Sequence, residues 1–295
     1  MIGWIGLGGM GLPMARNVVQ AGIGLTVCDL RPEPVADLAE LGAATGRDPS
    51  EVAAASDVVF VSLPHESVSR AVAAEVFAAD TPPDVYVELS TLSPTTMRDL
   101  AAQAAAAGVA FCDSPVSGGV RARNEGDLAV MVGGPDDAYT RIRPVLDAIG
   151  SHVFHLGEVG AGSVAKIANN LVALTSMVTA IEGLLLGSAH GLDLQQLRDV
   201  IMVSSGSSPQ ILGAAHQHRT RRYRESTTPQ AALRLASKDL ALAVDLAADV
   251  GLPVVTARAA LGQWQAAERA GLGEAELWFL LDHLEQTLSR EPEAR

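Results

Sequence analysis

The chain has 295 residues, a length that fits two domains or one large one, and 48% of them are hydrophobic against 19% charged. That balance describes a chain that buries a large core, and it excludes intrinsic disorder. A formal net charge of −13 with a sequence pI near 4.9 excludes nucleic acid and anionic membrane surfaces as general partners. A local basic pocket for an anionic ligand is still compatible with it.

Residues 2–6 read as a short apolar strand with no basic leader or cleavage-site pattern before it, so no signal peptide is expected. The strand runs into Gly6-Leu7-Gly8-Gly9-Met10-Gly11, and a helical pattern follows from Met10 to about Ala21, stopped by Gly22. This is G-x-G-x-x-G in strand–turn–helix order. The first glycine permits the tight turn, the second lets a diphosphate approach the backbone, and the third packs the helix on the strand. The helix start then offers free N–H groups to phosphate. A second strand, residues 25–28, ends in Asp29. A carboxylate there accepts from ribose hydroxyls and repels a 2′-phosphate, which favours NAD over NADP. Arg31 keeps NADP open, because an arginine at that pocket accommodates the phosphate.

Further strands are expected at residues 57–63 and 85–89, and they place Leu63, Pro64 and Thr91 at carboxyl ends, where a doubly wound sheet binds its ligand. Ser93-Pro94 has the form of a helix start. A strand at 109–112 leads into Asp113-Ser114-Pro115-Val116-Ser117-Gly118-Gly119. The backbone N–H groups and hydroxyl of such a turn can cradle a carboxylate, and a plain turn is the alternative. Strands at 128–132 and 152–156 flank a helix at 136–149; His152 and His155 have no metal-ligating company. The cysteines, Cys28 and Cys112, fall at strand ends, which fits a reducing cytoplasm and argues against a disulfide framework or a metal site.

The stretch Gly160-Ala161-Gly162-Ser163-Val164-Ala165-Lys166-Ile167-Ala168-Asn169-Asn170 opens a long apolar helix. Lys166 and Asn170 lie four apart, so they share a helix face. An ammonium and a carboxamide on an apolar helix need a partner or a ligand, unless the lysine snorkels to solvent. The apolar run 171–186, interrupted by Thr175, Ser176, Thr179 and Glu182, reads as a buried core helix, too short and too polar to span a bilayer. From residue 163 onward only helical patterns remain, at 163–190, 193–202, 229–250, 253–270 and 274–288, with Gly191, Gly251 and Gly271 as stops and a frayed tail at 289–295. The expected division is a dinucleotide-binding domain over residues 1–160 and an all-helical substrate and oligomerisation domain over 161–295. Lys238-Asp239 interrupts one helix, as a cofactor contact or as a solvated ion pair. The basic cluster 216–224 reads as solvated surface or a subunit contact rather than a substrate site.

Taken in order, the fingerprint with Pro13-Met14, the Asp113–Gly119 stretch, the Gly160–Asn170 stretch and Lys238-Asp239-Leu240 resemble the β-hydroxyacid dehydrogenase family over nearly the whole chain. The resemblance implies a Rossmann-type doubly wound sheet, an all-helical C-terminal domain, and a homodimer or homotetramer. It implies an NAD(P)-dependent enzyme that interconverts a small hydroxy acid and its semialdehyde. Lys166 would be the catalytic acid/base, and Asn170 would hold the reacting oxygen. Ser117, Gly118 and Gly119 would seat the substrate carboxylate, while Leu63, Pro64, Thr91 and Lys238 would contact the cofactor. An ordinary lysine, with a pKa of about 10.4, is a poor base at neutral pH. Desolvation lowers it toward a working range of about 7–8. No metal is required. The chain departs from the family pattern after Gly119, where Ala122, Arg123 and Asp127 replace the usual glycine, alanine and threonine. Arg123, with Arg121, adds positive charge near the substrate loop and suggests a substrate with a second anionic group. An imine reductase and a catalytically silent cofactor-binding module are the competing readings. Both lack the lysine, so Lys166 counts against them.

Overall fold

The computed structural model describes residues 1–225 and 231–288. The chain divides into two compact units, Met1–Lys166 and Ile167–Arg295. The boundary falls inside one continuous helix, Ala161–Ala189.

The first unit is built on a six-stranded parallel sheet. Its strands are β1 (Ile2–Ile5), β2 (Leu25–Cys28), β3 (Ala44–Thr45), β4 (Val58–Val61), β5 (Val85–Glu88) and β6 (Ala110–Asp113), in the order β3-β2-β1-β4-β5-β6. The order reverses between β1 and β4, so the switch point lies at the carboxyl ends of those strands. Strands covered on both faces read as near-continuous apolar runs, which is why β2, β4 and β5 were visible in the sequence. Side chains alternate between the faces. Trp4 stacks on Phe60 at 5.5 Å in one layer, and Tyr86 stacks on Phe111 at 5.6 Å in the other. Ser93 caps the helix Pro94–Ala106 by accepting from the Thr96 N–H, as its position before Pro94 predicts.

A second sheet follows, with β7 (Val116–Ser117), β8 (Ala129–Val132) and β9 (His152–His155) in that order. The expected turn at Ser117 is therefore partly strand: Val116 pairs with Val130 and Ser117 with Ala129. His155 stacks on Tyr139 at 4.4 Å and bonds the Gly134 carbonyl, a packing role.

The second unit is helical. Its core gathers Ile181, Leu184, Leu233, Leu240, Trp264, Leu280 and Leu281. Asp193 caps Leu194–Met202, and Gly191, Gly251 and Gly271 adopt positive φ at helix ends. The last expected helix is shorter than the pattern suggests and runs over Phe279–Leu288. The preceding residues bond laterally instead: Leu233 N–H donates to the Ala275 carbonyl and Leu277 N–H to that of Ala231. The expected helix start at Pro229 and the frayed tail at 289–295 lie outside the described residues.

The long helix also corrects an expectation. It starts at Ala161 and runs 29 residues, with a mean hydropathy of 1.7 over its most apolar window, so length and composition alone would let it cross a membrane. The polar interruptions are too few to offset the leucines, valines and alanines. Only 33% of that window is buried. Met177, Val178, Ile181, Leu184 and Leu185 pack into the core, whereas Val172 and Leu186 are more than half exposed.

Candidate active site

The fingerprint loop lies where β1 ends. Gly6 has φ +90°, and a side chain there would meet the Ser62 carbonyl at 2.3 Å; one at Gly11 would meet the Gly6 carbonyl at 2.0 Å. Both positions therefore require glycine, and together they bring the helix Gly11–Gln20 hard against the turn. A Cβ at Gly8, in contrast, meets nothing within 4 Å, so that face of the loop is open. Met10 before the helix supplies no capping side chain, and the first turn holds no acid. An open glycine face beside a helix start with no side-chain cap fits a dinucleotide diphosphate.

Asp29 closes β2 onto this loop. Its Oδ2 accepts from the Leu7 N–H at 2.6 Å and its Oδ1 from the Arg31 N–H at 2.8 Å. The Arg31 guanidinium donates to Asp29 Oδ1 at 3.2 Å and to the Leu7 carbonyl at 2.7 Å. Burial opposes the charge on Asp29, but these donors outweigh it and hold the carboxyl below its ordinary range. The arginine expected to open the pocket to NADP is thus engaged with Asp29 and Leu7.

The expected cofactor wall is organised by a residue the sequence reading passed over. Glu88, fully buried at the end of β5, accepts from the Ser90 N–H at 3.0 Å. Ser90 Oγ in turn accepts from the Leu63 N–H at 2.8 Å. Leu63 after β4 is thereby tied to Ser90, the residue before Thr91, and through it to Glu88. Burial lifts the Glu88 carboxyl to about 7, against hydrogen bonds from Ser90, Ser69 and Tyr86. A carboxylate ending an otherwise apolar strand was the available signal.

Asp113 joins the two motifs on which the resemblance most depends. It is fully buried, and its Oδ1 and Oδ2 accept from the Gly160 and Ser163 N–H groups, each at 2.6 Å. The Ser163 hydroxyl donates to the Leu92 carbonyl. The carboxylate thus serves as N-terminal cap for the long helix, where the helix dipole favours an anion. Burial raises it to about 6, opposed by those N–H donors and by Arg98. Gly162 makes the approach possible, since a side chain there would meet the Met131 carbonyl at 2.2 Å. With the helix start fixed, Lys166 donates from Nζ to Ser117 Oγ at 3.3 Å. The expected acid/base and the first residue of the expected cradle, Ser117-Gly118-Gly119, are therefore adjacent.

Arg123, which follows the expected cradle in sequence, also reaches toward the fingerprint loop. It sits on the short helix Val120–Glu125, with Nη1 3.7 Å from Met10 Sδ and its carbonyl accepting from Asn17 Nδ2 at 2.9 Å. Arg121 is exposed and pairs with Glu125 at 3.5 Å.

In the second unit Asp239 gathers the remaining motif residues. Its Oδ2 accepts from Asn170 Nδ2 at 2.9 Å, and its Oδ1 lies 3.2 Å from Lys238 Nζ. The ion-pair reading of Lys238-Asp239 is present, and the same carboxylate also orients the Asn170 amide. Within the basic cluster His216, Arg219 and Arg222 are exposed, as a solvated surface requires, but Arg221, Tyr223 and Arg224 converge on one carboxylate. Asp282 accepts from Tyr223 Oη at 2.6 Å, from Arg221 at 2.8 Å and from Arg224 at 2.7 and 2.9 Å. Burial opposes the Asp282 charge, yet these donors keep the carboxyl below its usual range.

A fingerprint loop at the switch point of a sheet in this strand order defines a dinucleotide-binding protein. The family model described as the NAD binding domain of 6-phosphogluconate dehydrogenase matches residues 1–157, and that described as NAD-binding of NADP-dependent 3-hydroxyisobutyrate dehydrogenase matches 160–283. The 2-(hydroxymethyl)glutarate dehydrogenase of Eubacterium barkeri is 33% identical over 97% of this chain and 95% of its own. The 3-hydroxyisobutyrate dehydrogenase of Pseudomonas aeruginosa is 39% identical over 70% of each chain. The structure of Mycobacterium tuberculosis 3-hydroxyisobutyrate dehydrogenase with L-serine superposes with a TM-score of 0.84 at 32% identity, covering 96% of this chain and 98% of that one. The chain belongs to the β-hydroxyacid dehydrogenase family and is an NAD(P)-dependent oxidoreductase.

Proposed function

We propose that this enzyme interconverts a β-hydroxy acid and its semialdehyde, with Lys166 as the acid/base. The observation that carries this reading is the Lys166–Ser117 contact at 3.3 Å, which puts an ammonium group beside the expected carboxylate cradle. Bound nicotinamide supplies the hydride acceptor or donor. In the oxidising direction the neutral Lys166 amine takes the hydroxyl proton as hydride leaves the carbinol carbon. In the reducing direction the Lys166 ammonium returns that proton to the oxygen of the aldehyde carbon. Ser117 and the Gly118 and Gly119 backbone seat the substrate carboxylate, and Asn170, one turn along the helix from Lys166, holds the reacting oxygen. Asp239 positions Asn170 by fixing its amide.

For the cofactor, Gly6 through Gly11 take the diphosphate, Leu63, Pro64 and Thr91 form the wall, and Lys238 is a further contact. Asp29, kept ionised, favours NAD, with Arg31 as the group that would tolerate NADP. The exposed apolar side chains Val172 and Leu186 on the long helix support a homodimer or homotetramer. Cys28 and Cys112, both free and buried, support a cytoplasmic setting. The test is nicotinamide absorbance with NAD and NADP against a panel of 3-hydroxy acids and their semialdehydes. Turnover within that panel, faster with NAD, is expected. Tight cofactor binding with no turnover of any acid or semialdehyde would contradict the reading.

A further inference from the structure

The fingerprint loop has a guanidinium at each end. Arg31 donates to the Leu7 carbonyl at 2.7 Å, and Arg123 brings Nη1 to 3.7 Å from Met10 Sδ. Arg123 comes from a different element. The Asn17 amide, on the fingerprint helix itself, holds the Arg123 carbonyl at 2.9 Å and so anchors the short helix Val120–Glu125 beside it. From that anchor the guanidinium reaches the residue that precedes Gly11, where the helix offers its first N–H groups.

We propose that Arg123 is a cofactor-binding residue, whose guanidinium donates to the diphosphate of the bound dinucleotide beside the start of the fingerprint helix. The proposal rests on the reading of Gly6–Gly11 as the NAD(P) loop. A planar guanidinium matches phosphate oxygens two at a time, and charge-assisted bonds of this kind are the strong ones. In a chain of net charge −13 an anionic ligand enters an unfavourable overall field, and a cation at the loop opposes it locally. Arg123 therefore recognises the cofactor rather than a second anionic group on the substrate.

The test is calorimetric titration without substrate, using NADH, ADP-ribose and phosphate-free adenosine as probes. The proteins are wild type, Arg123→Gln, Arg123→Lys and, as a control for the general field, Arg121→Gln. Arg123→Gln is expected to weaken NADH and ADP-ribose by about tenfold or more, with adenosine unchanged. Arg123→Lys should recover part of the loss, and Arg121→Gln should shift binding much less. Unchanged dissociation constants, with only the KM of the acid substrate raised, would put Arg123 on the substrate and overturn the proposal. Failure of the wild type to bind any dinucleotide would overturn the reading of the loop, and the proposal with it. Arg123→Lys keeps both the charge and the packed stem, so it carries the test if the glutamine variant does not fold.

Discussion

Buried carboxylates in the two units are held by different means. In Met1–Lys166 the Asp113 carboxylate takes hydrogen bonds from the backbone N–H groups of Gly160 and Ser163, and Glu88 adds the Ser90 N–H to side-chain donors. In Ile167–Arg295 the carboxylates take them from side chains: Asp239 from Asn170, and Asp282 from Arg221, Tyr223 and Arg224. Backbone donors arrive already placed by strands and helices, so their precision is that of the fold. Side-chain donors must each lose rotamer freedom to take up their positions. Proton transfer needs narrow geometry, and the group proposed to perform it is set by the backbone-held unit.

Asp113→Ala should break the contrast most strongly. It leaves the Gly160 and Ser163 N–H groups buried and unpaired, at an expected cost of about 4 kcal/mol. Chemical denaturation measures that cost, and kcat should fall as Lys166 loses its fixed helix start. A loss of under about 1 kcal/mol would mean that the cap is incidental.

Asp282→Ala comes next, at about 3 kcal/mol, since it leaves the buried Tyr223 hydroxyl without its acceptor, while Arg221 keeps Glu285 and half-exposed Arg224 can turn to water. Unlike the first variant it should leave kcat intact in the protein that remains folded. A parallel loss of kcat would erase the distinction between the units.

Glu88→Gln is the mildest change and is read through pH. The Glu88 carboxyl is raised by burial from 4.5 to about 7. Between those values the folded protein keeps a proton that the unfolded chain has released, so stability falls as pH rises through that window. Removing the carboxyl should flatten the fall in urea stability between about pH 5 and about pH 8 by on the order of 2 kcal/mol. An unaltered slope would show that Glu88 stays ionised throughout.

The same contrast explains what could be read from the sequence. The fingerprint, the strand ends and the cap at Ser93 were legible because period, glycine placement and turn chemistry act within a few residues. The carboxylate that gathers Arg221, Tyr223 and Arg224 was not legible, because Asp282 lies 58 residues beyond Arg224. Residues 273–278 carry a helical pattern but pair laterally with 231–234, a long-range bond that no local period encodes. Asp113 was visible as a residue, but its partners are N–H groups 47 and 50 positions away, brought near only by the folded backbone. Arg123 stands in the sequence as a departure from the family pattern, but its neighbour Met10 is 113 positions away.

The most direct test of the account is kcat for Lys166→Ala, measured together with its NADH dissociation constant in the same preparation. The account predicts that kcat falls by about 10²–10⁴-fold while NADH binding is unchanged. A variant that binds NADH and keeps wild-type kcat would show that the proton moves by another route.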